Sequence, residues 1–148
     1  MIRRWSVLGV LVLGSLILAA CGTISASTAL DRWATSSNLS GALAQLRLDA
    51  RHAVIELTAR SPSTKMVRTV CSVLDLETRQ ANASLPTPDA QTTTLLSAAY
   101  TDLGSGANEC YEAGSSLTKR AVATDYLRRA GAEMAEAQAR VSAVTGPS

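Results

Sequence analysis

Leu39, Leu43, Leu46, Ala50, Ala53 and Leu57 recur at alternating intervals of four and three residues, and that spacing suits one kind of backbone. A helix of 3.6 residues per turn gathers all six onto one face, whereas a strand would scatter them over both of its faces. Leu48, His52, Ile55 and Ala59 are expected to widen the stripe, so this helix should bury a broad surface. The same spacing returns near the C-terminus in Leu127, Ala130, Met134, Ala137, Val141 and Val144. Two such seams need partners to cover them, and no strand pattern competes for the role.

Capping residues and prolines divide the remainder. Thr28 with Asp31 fits a capping box that opens helix one, and the helical signal weakens through Ser36–Gly41, which leaves open whether the helix is continuous or broken there. Ser61-Pro62 reads as a cap followed by proline in the first turn. Helix two then runs from Pro62 to about Ser84, with Val67, Cys71, Leu74, Thr78, Ala81 and Leu85 on its seam and Val70, Val73 and Leu76 beside it. Asp75 and Arg79 form an i,i+4 pair on its outer side. Leu85-Pro86-Thr87-Pro88-Asp89 interrupts the chain, because proline lacks a donor and fixes φ. Thr87 should cap helix three, whose period passes through Leu96, Ala99, Leu103 and Cys110; Gly104-Ser105-Gly106 is expected to weaken or bend it. Gly114 supplies a left-handed stop, and Ser115 or Ser116 opens helix four, laced outside by Arg129–Glu133 and Glu136–Arg140. Phenylalanine is absent, so the core must be Leu, Val, Ala and Met, which favours close-packed helices over a sheet. The expected fold is all-α: an up-down antiparallel four-helix bundle over residues 29–145, followed by a short tail, 146–148.

The first 20 residues have a different character. Arg3 and Arg4 precede an apolar stretch from Trp5 to Ala20 that ends in small residues, as an export signal does. A membrane-spanning anchor is the competing reading, but the run falls short of the ~20 residues that a spanning helix needs. Leu18-Ala19-Ala20-Cys21 resembles the lipobox of bacterial lipoproteins. The resemblance implies cleavage before Cys21 and a diacylglyceryl thioether on its sulfur, with a small, polar tether over residues 21–28. It also implies a place at the cell membrane, on its extracytoplasmic face. Two acyl chains at ~0.8 kcal/mol per buried methylene suffice for stable anchoring.

Of the 14 Lys and Arg residues, Arg3 and Arg4 belong to this leader, which leaves 12 against 12 Asp and Glu. A neutral domain with no basic stripe argues against nucleic acid as a partner. Membrane attachment falls to the N-terminal lipid, and an envelope protein is the expected macromolecular partner.

Cys71 and Cys110 remain after lipidation. In an oxidising compartment an intramolecular disulfide between neighbouring seams is favoured, with two buried thiols or an intermolecular bridge as the other outcomes. The register argues for stagger. A hairpin turning at Pro86-Thr87 sets Cys71 opposite a residue near Asp102, and Cys110 lies ~12 Å further along the axis. An extended Leu85–Thr93 segment or a bend at Gly104–Gly106 would be needed.

No catalytic constellation assembles from the sequence. His52 is the only histidine and reads as a core or boundary residue, so zinc and di-iron chemistry lack ligands and no metal or cofactor is expected. Ser116-Leu117-Thr118-Lys119 matches a Ser-x-x-Lys nucleophile, but its companion motifs are missing and helix capping explains Ser116 better. Glu109 and Glu112 share a helix face without any aromatic platform for a sugar and should face solvent. Trp33 reads either as a headgroup-level residue near the anchor or as bundle-end core, the commoner fate. Tyr100, Tyr111 and Tyr126 could line a pocket between helices three and four.

Val70-Cys71, Leu85-Pro86-Thr87-Pro88-Asp89, Ala99-Tyr100-Thr101-Asp102 and Cys110-Tyr111-Glu112-Ala113-Gly114 together resemble a pattern in small actinobacterial exported proteins. That resemblance spans roughly residues 67–130 and implies paired cysteines and a helical domain; it carries no activity. The expected function is a non-enzymatic, lipid-anchored envelope interaction or structural module. The alternative is a small-ligand binder with a pocket between helices.

Overall fold

Among the described residues five helices follow one another: α1 (Ala26–Ser36), α2 (Leu39–Thr58), α3 (Thr64–Asn82), α4 (Ala90–Ala113) and α5 (Leu117–Thr145). A computed structural model describes residues 25–146 of the protein; the leader, Cys21 and most of the expected tether lie outside the described residues. No strand occurs among the described residues.

The all-helical expectation holds, and the count of four does not. The weak stretch after Ser36 resolves into a two-residue turn in which Asn38 adopts φ 49°, ψ 42°. Asparagine tolerates this left-handed conformation better than most residues, so α1 and α2 part company there. α1 also starts before Thr28: Ser25 is its cap and accepts a hydrogen bond from the Thr28 amide, which makes residues 26–28 helical rather than tether.

The other caps shift by a residue or two. Ser63, not Ser61, caps α3. Asp89, not Thr87, caps α4 through a 2.8 Å bond from the Thr92 amide. Thr87 is instead the clasp of the connection: its hydroxyl donates to the Asp89 carbonyl, and its amide donates to Thr93 Oγ1. Ser116 caps α5, as expected. Gly114 takes φ 49°, a positive value that a side chain would resist, although its ψ of −122° lies outside the left-handed helical well.

The α2 seam is buried in full, from Leu39 to Leu57. The stripe is narrower than expected, however. Leu48 and Ile55 are 49% and 61% exposed, His52 is exposed, and on α3 Val73 and Leu76 also face outward. α2 buries the strict four-and-three seam against its neighbours, with Val54 partly buried beside it. α4 is the helix most enclosed, against α3 on one side and α5 on the other. Its pairing with α5 is antiparallel: Glu112 meets Lys119, Asp102 meets Arg129, and Asp89 meets Arg140, one index falling as the other rises.

Cys71 and Cys110 come together at disulfide distance, with Cα atoms 5.9 Å apart. The stagger lies in the connection. Cys71 sits about 16 Å before the end of α3, whereas Cys110 sits about 30 Å after the start of α4. Residues 83–89 therefore carry the chain roughly 14 Å onward before α4 doubles back. No break at Gly104–Gly106 is used, because α4 runs continuously through it. Gly106 has a different role there: a Cβ on it would lie 2.7 Å from Leu127 Cδ2 and 3.2 Å from Tyr126 Cβ. Its absence lets α4 and α5 approach closely.

Candidate functional site

Small residues on two helices open the largest groove described, about 920 Å3, between α2 and α5. Ala50 on α2 faces Gly131, Ala135 and Ala139 on α5, and these short side chains leave the seam unfilled. A Cβ placed on Gly131 meets no atom within 4 Å. Val54, Ile55, Leu127 and Met134 make the remaining wall apolar. Arg47 closes the far end, donating from Nη1 to Gln138 Oε1 at 2.8 Å, and Arg51 and Arg128 stand along the groove.

Arg128 is shared with a second groove, about 480 Å3, where the end of α2 meets the start of α5. Arg60 and Arg120 line it as well. Arg120 is only 9% exposed, and its Nε is buried without a hydrogen-bond partner. Ion pairs among the described residues occupy Arg79, Lys119, Arg129 and Arg140; the groove arginines take part in none of them. Neither groove is lined by a carboxylate. A continuous track thus combines an apolar wall with unpaired cations.

The sequence carried a signal for Arg120. Stepping the α5 seam back from Leu127 by four and then three residues reaches Ala123 and then Arg120. An arginine on the inward side of an amphipathic helix is costly to bury unpaired, and that cost makes Arg120 a candidate site residue.

Tyr100, Tyr111 and Tyr126, the candidates for a pocket between helices, do not line any one of the described grooves together. Tyr100 is buried, which pushes its phenol up to about 12. Tyr111 lies eleven residues further along α4, is 45% exposed, and carries the Arg68 guanidinium 5.4 Å above its ring. Tyr126 on α5 is covered by Arg129 at 4.6 Å. Trp33 packs at the bundle end against the core and donates from Nε1 to the Ser84 carbonyl at 3.1 Å. Ser116 and Lys119 serve as cap and as ion-pair partner to Glu112.

The expected Arg129–Glu133 and Glu136–Arg140 lacing of α5 does not form; Arg129 pairs with Asp125 one turn back on the same helix, and the other pairs of α5 run between helices. Arg129 reaches Asp102, and Arg140 grips Asp89 with two hydrogen bonds, at 3.1 and 2.9 Å. This grip, with the Thr92 bonds, holds the Asp89 carboxyl well below the usual carboxylate range. Glu133 is left with a buried, unpartnered Oε2, and desolvation raises its pKa. The Asp75–Arg79 pair forms as expected, at 2.8 Å. Among the described residues no group of His, Cys, Asp and Glu could hold a metal ion.

One carboxyl group, Glu77, titrates abnormally. A hydrogen bond with Asp49, then burial and the Asp49 charge, push Glu77 on α3 up to about 7 from 4.5. The folded protein holds this proton more tightly than the unfolded chain, so stability falls as pH rises from about 5 through 7. Glu77→Gln should remove that slope. With allowance for solvent screening, it should raise stability near pH 8 by about 1 kcal/mol in urea titrations, and add little near pH 5.

The glycines provide a second test of the packing. Gly131→Ala should stabilise the protein by about 1 kcal/mol, since helix propensity improves and the new methyl enters open space. Gly106→Ala should lower stability by about 1–2 kcal/mol, because the contact with Leu127 outweighs the same propensity gain. Thermal unfolding monitored by circular dichroism reads both.

Comparison with known proteins returns no match: no family model, no curated protein and no solved structure.

Proposed function

We propose that the protein is a lipoprotein anchored through Cys21 at the extracytoplasmic face of the cell membrane. Its helical domain serves there as a non-enzymatic interaction module for an envelope partner. The observation that carries this reading is Leu18-Ala19-Ala20-Cys21 closing a run that begins after Arg3-Arg4. A helical domain with cysteines at bonding distance is consistent with export to an oxidising compartment. Metabolic labelling with an alkyne fatty acid should mark the wild type and not Cys21→Ala. Labelling that persists in Cys21→Ala, or a mature product that begins at Met1, would overturn the anchor. Crosslinking in intact cells should capture one reproducible envelope protein on the domain.

The α2–α5 track favours a second reading, in which the module holds a small ligand between helices. The ligand would lie against α2 and α5, away from the three tyrosines. Binding to the native state alone would raise Tm with ligand concentration.

A further inference from the structure

The α2–α5 track joins two features. One is an open apolar channel. The other is a set of arginines free of carboxylates, one of them nine-tenths buried with an unsatisfied donor. We propose that this track binds an anionic amphiphile, with one long acyl chain laid over Gly131 and a carboxylate or phosphate head held by Arg120 and Arg128.

The geometry orders the two ends. Arg120 and Arg128 stand two turns apart on one face of α5 and line the same small groove with Arg60. From Arg128 the apolar channel continues past Leu127, Gly131 and Ala135 to Ser142, about 21 Å along the helix axis. That length suits a long acyl chain. A neutral apolar ligand would leave the Arg120 Nε unpartnered, and a small anion would leave the channel empty. A planar guanidinium that presents several donors in a fixed fork matches a carboxylate or phosphate and is weakly hydrated, which suits it to a half-enclosed site. The channel is too open to need a lid, so the chain can enter sideways from solvent or from a bilayer.

This inference deepens the small-ligand reading of the same groove and does not depend on Cys21. The test uses full-length protein in phosphatidylcholine nanodiscs, labelled with a photoreactive palmitate and mapped by peptide mass spectrometry. Label should concentrate on the α2 and α5 walls. Palmitate and lysophosphatidic acid should compete for it, together or singly according to the head preferred, at concentrations about tenfold below those needed for uncharged monopalmitoylglycerol. Arg120→Gln should weaken labelling about tenfold. Arg128→Gln, at an exposed position that does not threaten folding, should weaken it in the same direction. Gly131→Leu should block the channel while helicity is retained. Label spread evenly over all helices, equal competition by the uncharged lipid, or a groove found covered by a second copy of the chain in protein crosslinks would each overturn the proposal. Groove labelling that survives in Cys21→Ser would uphold it even if the anchor assignment failed.

Discussion

Reduction of the Cys71–Cys110 pair under native conditions should lower the stability of the domain by about 4 kcal/mol. The two cysteines are 39 residues apart in sequence, and a bridge between them closes the C-terminal part of α3, the connection and most of α4 into one loop. In the chain-entropy treatment, a loop of that size removes a large share of the unfolded chain's freedom. Both residues are fully buried at the contact between α3 and α4, so the oxidised pair adds no exposed surface. For a domain of this size, the loss is a substantial part of the usual 5–15 kcal/mol. The measurement is a urea titration of the native protein with and without a phosphine reductant, with Cys71→Ser/Cys110→Ser as the companion. A midpoint that does not move would show that the thiols are free.

Leu103→Ala should cost about 3–4 kcal/mol, near the upper part of the range for such truncations. Leu103 is fully buried in the middle of α4, the helix enclosed by both α3 and α5. The cost of a cavity depends on how far its surroundings can collapse. Here Ala99 and Ala107 sit one turn away on the same face, and neither has atoms to swing into the gap. Phenylalanine, long enough to reach across, is absent from the chain. Leu48→Ala on the exposed side of α2 is the control and should change stability by less than about 0.5 kcal/mol. Equal losses at the two positions would mean that the buried and exposed faces are misplaced.

The seams could be read in the sequence because the four-and-three spacing reports helix period directly: Leu39 through Leu57 are all inside. The width of each seam could not be read. Leu48, Ile55, Val73 and Leu76 lie where a helix with two neighbours would still have an outer face, and hydrophobicity alone does not say how many neighbours there are. Caps moved by one or two residues because Ser61 and Ser63, or Thr87 and Asp89, compete for the same role. Ion pairs were legible only along a single helix. Arg129 and Arg140 reach across to Asp102 and Asp89, partners that depend on register between helices. The register itself was hidden in residues 83–89, where the Thr87–Thr93 clasp sets how far the chain travels before it turns. The groove was the least legible feature. It arises from Ala50 on one helix facing Gly131 and Ala135 on another, and neither set signals an opening until the two are placed side by side.

The modest hold of α1 on the rest of the bundle has a mechanical corollary. This helix buries one residue fully, Leu30, and is latched at its far end by the Trp33–Ser84 hydrogen bond. Any pull arriving from the N-terminal side meets that segment first, while the cysteine-joined α3–α4 pair lies well behind it. Unravelled, its 11 residues would lengthen from helical to extended rise, a gain of roughly 20 Å of reach. Under the anchorage proposed at Cys21, a shock-absorbing leash of that kind would let the domain stand further from the membrane under strain and rewind when the force is released.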